Sequence, residues 1–332
     1  MKAYIKAISY YLPRKVRTNE EIASMFPEWT VKKITRKVGI EERHVSDDGE
    51  CASDMAVSAA ERMFEEYGID RNDIDFVLLC TQSPDYFLPP SSCVIQERLG
   101  LRTSCGAFDY NLGCSGFVYG LAVAKGLAVA GIAKNILLLT SETYTKHLHG
   151  KDKGNMTIFG DAAAATLVST AGFASIEEFS LGTDGKGCDN LIVRTGGMRN
   201  PLKADDIRFD ENGNPQSSDH LFMNGSEIFN FTAEIVPPLV DDILSKNNLL
   251  KGNVDLFIFH QANKYVLDFL KDMVGIEDDR FYCCVSKVGN TVSSTLPIAL
   301  KSALDERKAA GNVLVAGFGV GYSWGGCMLK FK

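Results

Sequence analysis

One cysteine, one histidine and one asparagine in this chain have the types and the order needed for thiol-based covalent chemistry. Cys114 lies in a glycine-flanked segment, residues 111–117, and His260 and Asn290 follow it by 146 and 176 residues. A deprotonated thiol is a strong nucleophile, and neighbouring polar groups commonly assist its reactions. Because the chain has nine cysteines, the case for Cys114 depends on its surroundings and on what the fold brings to it.

A tight strand-to-helix turn is predicted around Cys114. A short β-type run at 107–110 precedes it, and a run of small helix-forming residues at 118–130 follows it. The start of a helix has unpaired N–H groups and a partial positive charge, which together favour an anion. We therefore expect the pKa of the Cys114 thiol to be lowered. The alternative is a buried structural cysteine, as most free cysteines are.

The order of predicted elements occurs twice along the chain, with a period of about 175 residues. A helix followed by a buried strand at 75–80 corresponds to a helix followed by a buried strand at 255–259, and the run at 312–316 mirrors that at 135–139. Strands that alternate with helices predict mostly parallel sheets with layers of helices. The chain is therefore predicted to be a duplicated α/β protein.

The boundary between the halves is predicted near Gly172. The N-terminal half, residues 1–172, contains the candidate nucleophile, and the C-terminal half, residues 173–332, contains the histidine and the asparagine. Two apolar runs on either side of Gly172, at 162–169 and 174–179, are predicted to pair as a hairpin.

The duplication predicts that the three polar residues converge. Cys114 and Asn290 each follow a glycine at the start of a predicted helix, and His260 follows a buried strand. Ligands of α/β sheets collect at the carboxyl ends of strands, so we expect one shared pocket. Simpler roles remain for each residue: His260 as a hydrogen-bonded histidine at a strand end, Asn290 as a helix cap, and Asn263 as the cap of a helix at 264–274.

Composition excludes several classes of function. The formal net charge is −7 with no block of lysine or arginine, which argues against nucleic acid as a partner. No run of 18 apolar residues is present, and the first residues read as a strand, so neither a membrane span nor a signal peptide is predicted. An odd number of cysteines, scattered through strand-like runs, is typical of a reduced cytoplasmic protein.

A protease site and a metal site have less support from the sequence. A cysteine, histidine and asparagine in this order also describe papain-type proteases, but the Cys-Gly-Ser/Ala-Cys-Trp/Tyr signature is absent around Cys114. His147 and His149 form a His-x-His pair, but no further residue completes a metal site. Asp161 is expected to order a turn through bonds from its side chain to the backbone.

Seven short segments of the chain form a characteristic set. They are Glu28-Trp29, Gly39-Ile40-Glu41-Glu42-Arg43-His44, Cys114-Ser115-Gly116-Phe117, Ile158-Phe159-Gly160-Asp161, His260-Gln261-Ala262-Asn263, Gly289-Asn290-Thr291 and Phe318-Gly319-Val320-Gly321-Tyr322. In these segments the chain resembles the β-ketoacyl-acyl-carrier-protein synthase III family of condensing enzymes, over essentially its whole length. The Cys-His-Asn set distinguishes this branch from thiolases (Cys-His-Cys) and from chain-elongating synthases (Cys-His-His).

The resemblance implies a thiolase-like α/β fold: two duplicated halves with mostly parallel five-stranded sheets in a layered α-β-α-β-α arrangement. It implies a decarboxylating Claisen condensation in two steps. Cys114 takes an acyl group from an acyl-CoA, and His260 and Asn290 then stabilise the enolate formed when a malonyl thioester on acyl carrier protein loses CO2. The backbone N–H groups of Cys114 and Val320 are the implied oxyanion hole. No metal or cofactor is implied, and the implied assembly is a homodimer.

The same resemblance assigns substrate-binding residues. Trp29 matches a tryptophan that stacks on the CoA adenine, but Lys153 stands where an arginine is common, and Arg and Lys differ at stacking sites. A basic residue is usual where this chain has Tyr265. Leu88 lies where the dimer partner closes the acyl pocket. Two further positions, Asn263 and Phe318, are also assigned to the substrate site.

Three hypotheses follow. The chain initiates fatty acid synthesis from a short acyl-CoA and malonyl carrier protein; or it performs the same chemistry in a specialised-metabolite pathway, with an unusual acyl donor or acceptor; or it keeps the fold as a thioester hydrolase or non-catalytic partner. The intact Cys114, His260 and Asn290 argue against the third. The length of the acyl group stays open at this point, and so does whether CoA or a carrier protein donates it.

Overall fold

The structure, a computed structural model, describes residues 2–211 and 213–332. The α-helices in this part of the chain are α1 (Asn19–Met25), α2 (Val31–Val38), α3 (Ala52–Tyr67), α4 (Ser91–Arg98), α5 (Gly116–Val129), α6 (Lys153–Met156), α7 (Gly225–Lys246), α8 (Lys264–Val274) and α9 (Thr295–Asp305). The β-strands are β1 (Tyr4–Tyr11), β2 (Lys15–Thr18), β3 (Glu42–Val45), β4 (Phe76–Cys80), β5 (Gly106–Tyr110), β6 (Asn135–Glu142), β7 (Ala162–Ser169), β8 (Ala174–Thr183), β9 (Leu191–Ile192), β10 (Arg208–Phe209), β11 (Pro215–Gln216), β12 (Phe222–Met223), β13 (Leu256–Phe259), β14 (Asn312–Gly319) and β15 (Ser323–Phe331).

Nine of these strands form one continuous sheet, in the order β13-β14-β15-β8-β1-β7-β6-β4-β5. The prediction of two five-stranded sheets was wrong in two details. A short antiparallel pairing of β1 with β8 joins the two halves. The second half contributes four strands, because the segment that would be its fifth makes only a single bridge, between Phe281 and Phe257, before turning into a 3-10 helix.

The prediction of mostly parallel strands is confirmed when the directions of the strands within each half are compared. Within each half all strands run the same way except one, β7 in the first half and β15 in the second. That one reversed strand makes its neighbouring ladders antiparallel, so only the pairs β4–β5, β4–β6 and β13–β14 are parallel.

The sheet is folded between three layers of helices. Helix α3 packs on β1, β6 and β7 of the first half, whereas α7 packs on β8, β14 and β15 of the second. Helices α5 and α9 contact strands of both halves and form the central layer. The predicted α-β-α-β-α layering and the duplication are therefore confirmed. Helix α5 begins at Gly116, just after Cys114, and α9 begins at Thr295, five residues after Asn290.

The predicted hairpin around Gly172 was wrong. Strand β1 lies between β7 and β8 and pairs with both. Gly172 is required because a Cβ there would collide with the carbonyl of Ile5 on β1. The predicted domain boundary, between residues 172 and 173, falls in this connection and stays a prediction.

Local rules explain the helix ends near the site. The amide oxygen of Asn263 accepts a hydrogen bond from the Val266 N–H (3.0 Å), which confirms its predicted capping role. Helix α8 ends at Gly275 and α2 at Gly39, both in the left-handed conformation that favours glycine. In the described part of the chain, no helix combines the length and the apolar character needed to cross a membrane.

Candidate active site

Cys114, His260 and Asn290 line one inner cavity of about 160 Å³. The structure therefore brings the three residues together, as the duplication predicted. Cys114 precedes the central helix α5, His260 follows strand β13, and Asn290 lies on the turn before α9. Asn263 and Phe318 line the same cavity. The remaining walls are mostly apolar and include Tyr144, Ile158, Phe159, Leu191, Ile228, Phe229, Val266 and Val292.

The expectation of a lowered Cys114 pKa was wrong. Burial raises the pKa of the Cys114 thiol to about 12, and the nearby Glu142 carboxyl adds to the increase. Backbone hydrogen bonds from Val320 and from Cys114 itself lower the pKa, but they do not outweigh burial. The residue is only 5% exposed, so the loss of water around the sulfur dominates. At neutral pH Cys114 is a thiol, and its proton must leave during reaction.

Two backbone N–H groups, those of Cys114 and Val320, lie near enough to the Cys114 sulfur to lower its pKa. The end of β14 approaches closely because residue 319 is glycine: a Cβ there would lie 2.7 Å from Sγ. A carbonyl oxygen on acylated Cys114 would lie near the same donors. This is the position that the family resemblance implied for an oxyanion hole, and that role stays a prediction.

His260 is a neutral imidazole held by one hydroxyl. Burial lowers the pKa of His260 to about 3, so it carries no charge at physiological pH. Its Nδ1 lies 2.7 Å from Oγ1 of Thr295, and that hydroxyl also lies 3.0 Å from the Val292 carbonyl, to which it can donate. A hydroxyl can both donate and accept, so Thr295 complements either neutral tautomer of His260.

Asn290 is oriented by an unusual turn rather than by capping a helix. Its Oδ1 accepts a hydrogen bond from the Val292 N–H (2.9 Å), and α9 begins later, after Ser294. Val292 has φ of +55°, a costly conformation for a β-branched residue. The turn leaves Asn290 Nδ2 without a partner among the described residues, so this N–H donor is available to a ligand.

The strained turn is tied to the other half of the molecule through a buried carboxyl. Oε1 of Glu142 accepts a hydrogen bond from Ser293 (2.8 Å), and Oε2 accepts one from the Gln82 N–H (3.0 Å). The hydroxyl of Ser294 lies 2.9 Å from the hydroxyl of Thr140, which is on the same strand as Glu142, β6. Sequence reasoning missed Glu142, Val292 and Thr295; the run of hydroxyl residues directly after Asn290 was the available signal.

Glu142 predicts a pH dependence of stability. Burial raises its pKa from 4.5 to about 8 despite the hydrogen bonds that it accepts. A carboxyl whose pKa is higher in the folded state stabilises the fold when protonated, and this contribution is lost as pH rises from about 4.5 to 8. We expect the unfolding free energy of the wild type to fall over this range by on the order of 3–5 kcal/mol relative to Glu142→Gln, which cannot titrate.

Urea unfolding at pH 5, 6, 7 and 8.5, at one protein concentration, measures this difference. Glu65→Gln, a change at an exposed carboxylate, is the matched control and should follow the wild type. Parallel pH profiles for the wild type and Glu142→Gln would contradict the prediction.

A larger outer cavity of about 910 Å³ adjoins the inner one. The two share Ile158, Met223 and Gly225 in their walls, so the outer cavity lies directly beside the one that Cys114 lines. The predicted substrate residues Trp29 and Lys153 line the outer cavity, not the inner one.

The environment of Trp29 and Lys153 differs from an open stacking site. Trp29 is 8% exposed, and the ammonium groups of Lys33 and Lys37 lie 5.3 and 4.7 Å from its ring centre. Lys153 forms an ion pair with Glu28 at 2.7 Å. Tyr265 is exposed and stacks near Phe229, a wall residue of the inner cavity.

Leu88 is not brought to the site within its own chain. Its side chain is 81% exposed and lines neither cavity, and its neighbours Tyr86 and Phe87 are 62% and 80% exposed. Leu88 can therefore contribute to an acyl pocket only if it reaches another copy of the chain.

The histidine pair of the sequence has other contacts. His149 packs edge-on against Phe209 and His220, and His147 against Tyr144. Across residues 2–211 and 213–332, no group of three His, Cys, Asp or Glu side chains is arranged to hold a metal ion. Asp161 has its predicted role, since it accepts from the backbone N–H groups of Ser46 and Thr145 (both 2.9 Å).

Comparisons with known proteins agree with the geometry. Residues 108–185 match the family model of 3-oxoacyl-[acyl-carrier-protein] synthase III, and residues 244–331 match the model of its C-terminal part. A β-ketoacyl-[acyl-carrier-protein] synthase III of Clostridium perfringens is 34% identical over 323 residues, with 96% of each chain covered.

Solved structures give the same result at the level of the fold. A 3-oxoacyl-(acyl-carrier-protein) synthase III structure at 2.1 Å is 43% identical and covers both chains fully, with a TM-score of 0.97. A 3-oxoacyl-(acyl-carrier-protein) synthase from Burkholderia xenovorans is 33% identical, covers 100% of this chain and 94% of its own, and has a TM-score of 0.91. The thiolase-like fold is confirmed, and the chain belongs to the β-ketoacyl-[acyl-carrier-protein] synthase III family of condensing acyltransferases.

Proposed function

We propose that this chain joins an acyl group from an acyl-CoA to the two-carbon unit of a malonyl-acyl carrier protein, as in the initiation of fatty acid synthesis. One observation carries the proposal: a thiol, a neutral imidazole and an amide donor, from Cys114, His260 and Asn290, line one small cavity that opens to the surface. A nucleophile with donors placed where charge develops is what a two-step condensation requires.

The first step is acyl transfer to the thiol. The Cys114 sulfur attacks the acyl-CoA carbonyl, the bond from that carbonyl to the CoA sulfur breaks, and the thiol proton leaves with CoA as CoASH. Because burial raises the pKa of Cys114 to about 12, the proton is removed as the new bond forms rather than before. The backbone N–H groups of Cys114 and Val320 stabilise the oxygen anion of the tetrahedral intermediate.

The second step is decarboxylation and carbon–carbon bond formation. Loss of CO2 from the malonyl thioester leaves an enolate, whose oxygen accepts hydrogen bonds from Asn290 Nδ2 and from His260. The enolate carbon attacks the acyl-Cys114 carbonyl, and Cys114 leaves and regains a proton. Both donors are uncharged, as expected for a pKa of about 3 at His260. The thioester carbonyl is the electron sink, so this reaction requires no metal or cofactor.

The acyl group is short in this proposal. The inner cavity measures about 160 Å³ and its walls are mostly apolar. The carbon chain of a small acyl group suits such walls, because apolar surface gains free energy by leaving water.

We also propose a homodimer. The adjacent side chains Tyr86, Phe87 and Leu88 are all more than 60% exposed, an unusual cluster of large apolar groups. Strand β5 forms an edge of the sheet, with Phe108 37% exposed on it. A second copy that covers both features would bring Leu88 toward the partner's acyl pocket. We place the protein in the cytoplasm, where its nine free cysteines would stay reduced.

A second candidate is the same chemistry with an acyl donor other than CoA, as in a specialised-metabolite pathway. The ammonium groups of Lys33 and Lys37 lie over the Trp29 ring, and Lys153 is paired with Glu28. A nucleotide base could stack on Trp29 only if these side chains moved. This observation favours a donor that carries no adenine.

The test is condensation by the wild-type protein with a panel of acyl-CoAs and acyl carrier proteins, followed by malonyl carrier protein. Intact-mass analysis identifies the acyl group that loads, and the product should be a β-ketoacyl thioester two carbons longer than that group. Loading from CoA supports the first candidate, and loading from carrier protein alone supports the second. Hydrolysis of the acyl thioester with no product would contradict both.

A further inference from the structure

Arg43, on strand β3, is a buried cation that takes no part in the proposed chemistry. Its side chain is 0% exposed, and burial lowers its pKa only to about 10, so it stays charged at physiological pH. Among the described residues no carboxylate forms an ion pair with it, since its neighbours Glu41 and Glu42 pair with Lys287. Burying a charge without a partner of opposite charge is costly, so the contacts of Arg43 need an explanation.

The guanidinium of Arg43 donates all five of its N–H groups to oxygen atoms. Nε and Nη2 both donate to the Thr157 carbonyl, Nε at 3.0 Å. Nη2 also donates to the Ile40 carbonyl (3.3 Å), and Nη1 donates to the Asn19 side chain (2.6 Å) and to the Glu41 carbonyl (3.3 Å). Because a guanidinium is planar and rigid, these bonds fix the direction of the Thr157 carbonyl.

The three residues after Thr157 hold the backbone of Asn290. The Asn290 N–H donates to the Ile158 carbonyl (2.9 Å), and the Gly160 N–H donates to the Asn290 carbonyl (3.0 Å). Phe159 and Asn290 thereby form an isolated parallel bridge. The position of the Asn290 backbone therefore depends on a segment whose first carbonyl group Arg43 binds.

The aliphatic stem of Arg43 contacts the same segment and the same turn. A Cβ on Gly289 would lie 3.0 Å from Cγ of Arg43, and a Cβ on Gly160 would lie 3.2 Å from Cβ of Arg43. Gly289 directly precedes Asn290 and has φ of +73°, a conformation that favours glycine. Arg43 thus packs against the turn of Asn290 and also acts on it through Thr157.

We propose that Arg43 is a positioning residue, which fixes the backbone of Asn290 so that its Nδ2 donor points at the enolate oxygen. The inference rests on the proposed function, because it assumes that Asn290 donates to an enolate. The other end of the amide, Oδ1, is held by the Val292 N–H of the same turn, so the direction of Nδ2 follows the backbone. A displacement of about 1 Å at a reacting centre can cost about a hundredfold in rate.

The test is Arg43→Met, which removes the donors and keeps most of the stem. We expect decarboxylation of malonyl carrier protein, measured as CO2 release, to fall by about 10–100-fold. Acyl loading of Cys114, measured by intact mass, should keep its wild-type rate because it does not use Asn290. Arg43→Lys keeps the charge and offers a shorter donor toward Thr157, so its decarboxylation rate should lie between those of Arg43→Met and the wild type.

A double-mutant cycle shows whether Arg43 acts through Asn290. In the Asn290→Ala background the donor is already gone, so Arg43→Met should reduce decarboxylation no further. A residue that only supports the fold would cause the same loss in both backgrounds. Arg43→Lys takes the place of Arg43→Met in the cycle if the methionine variant does not fold.

Arg280→Met is the matched control, with the same change in residue and in net charge. The Arg280 guanidinium also donates to carbonyl groups, those of Val254 (2.9 Å) and Lys251 (2.8 Å). Val254 precedes β13, at the opposite end of that strand from His260. We expect a lower unfolding midpoint for this variant, with loading and decarboxylation at wild-type rates.

Decarboxylation at the wild-type rate in Arg43→Met would overturn the inference. Equal losses of loading and decarboxylation would also overturn it, as would an undiminished effect of Arg43→Met in the Asn290→Ala background. Failure of the proposed function looks different: the wild type itself would release no CO2 from malonyl carrier protein.

Discussion

Cys114→Ala is expected to abolish acyl loading completely and condensation with it. The substitution removes the nucleophilic sulfur but leaves His260 and Asn290 in the inner cavity, where they keep their own anchors, Thr295 and Val292. Decarboxylation of the malonyl thioester uses those donors and not the sulfur, so it should persist. The variant therefore separates the two steps of the reaction.

Intact-mass analysis after incubation with the acyl donor measures loading, and CO2 release from malonyl carrier protein measures decarboxylation. Cys105→Ala is a suitable control, because Cys105 is a partly buried free thiol directly before β5, away from the cavity. A mass gain that survives Cys114→Ala would place the acyl group elsewhere and end the assignment of Cys114.

Asn290→Ala is expected to give the opposite result: normal loading of Cys114, with condensation reduced by about 10²–10³-fold. One donor directed at a developing oxyanion is typically worth about 3–4 kcal/mol. The substitution also removes the acceptor of the Val292 N–H, and an unpaired buried N–H costs about 1–3 kcal/mol of stability. A loss of activity in this variant alone could therefore come from the turn.

Asn290→Asp separates these causes. An aspartate keeps an oxygen for the Val292 N–H, 2.9 Å away in the wild type, but replaces the free Nδ2 donor with a second oxygen. We expect its unfolding midpoint to stay closer to the wild type than that of Asn290→Ala, while decarboxylation is lost to at least the same extent. Decarboxylation at the wild-type rate in Asn290→Asp would remove Asn290 from the role of enolate donor.

The electrostatics of the site differ from the usual picture of a cysteine enzyme. Burial raises the pKa of Cys114 to about 12 and lowers that of His260 to about 3, so neither group is charged at rest. Charge is therefore created only during the reaction, in front of fixed donors. Glu142, whose pKa is raised to about 8, connects the strained turn of Asn290 to the half that carries the nucleophile.

The sequence alone determined the features that depend on local pattern. Glycines beside an apolar strand and a small-residue helix predicted the turn at Cys114, the strand end predicted the place of His260, and Asn263 caps α8 as its position before the helix indicated. The repeated order of elements then predicted that Cys114, His260 and Asn290 share a pocket, because equivalent strand ends meet at one edge.

Only the tertiary structure decided the features that depend on distant partners. Strand β1 lies between β7 and β8, although those two strands are neighbours in sequence. Strand pairing depends on which strands the folded core brings side by side, and not on their order along the chain. The pKa of Cys114 rises because both halves exclude water from the sulfur. The predicted helix start next to Cys114 carries no information about this burial. The conformation of Val292 likewise depends on Glu142 and Thr140, about 150 residues earlier in the chain. Backbone preferences are local and can be read from neighbouring residues, whereas burial and side-chain partnership are properties of the assembled core.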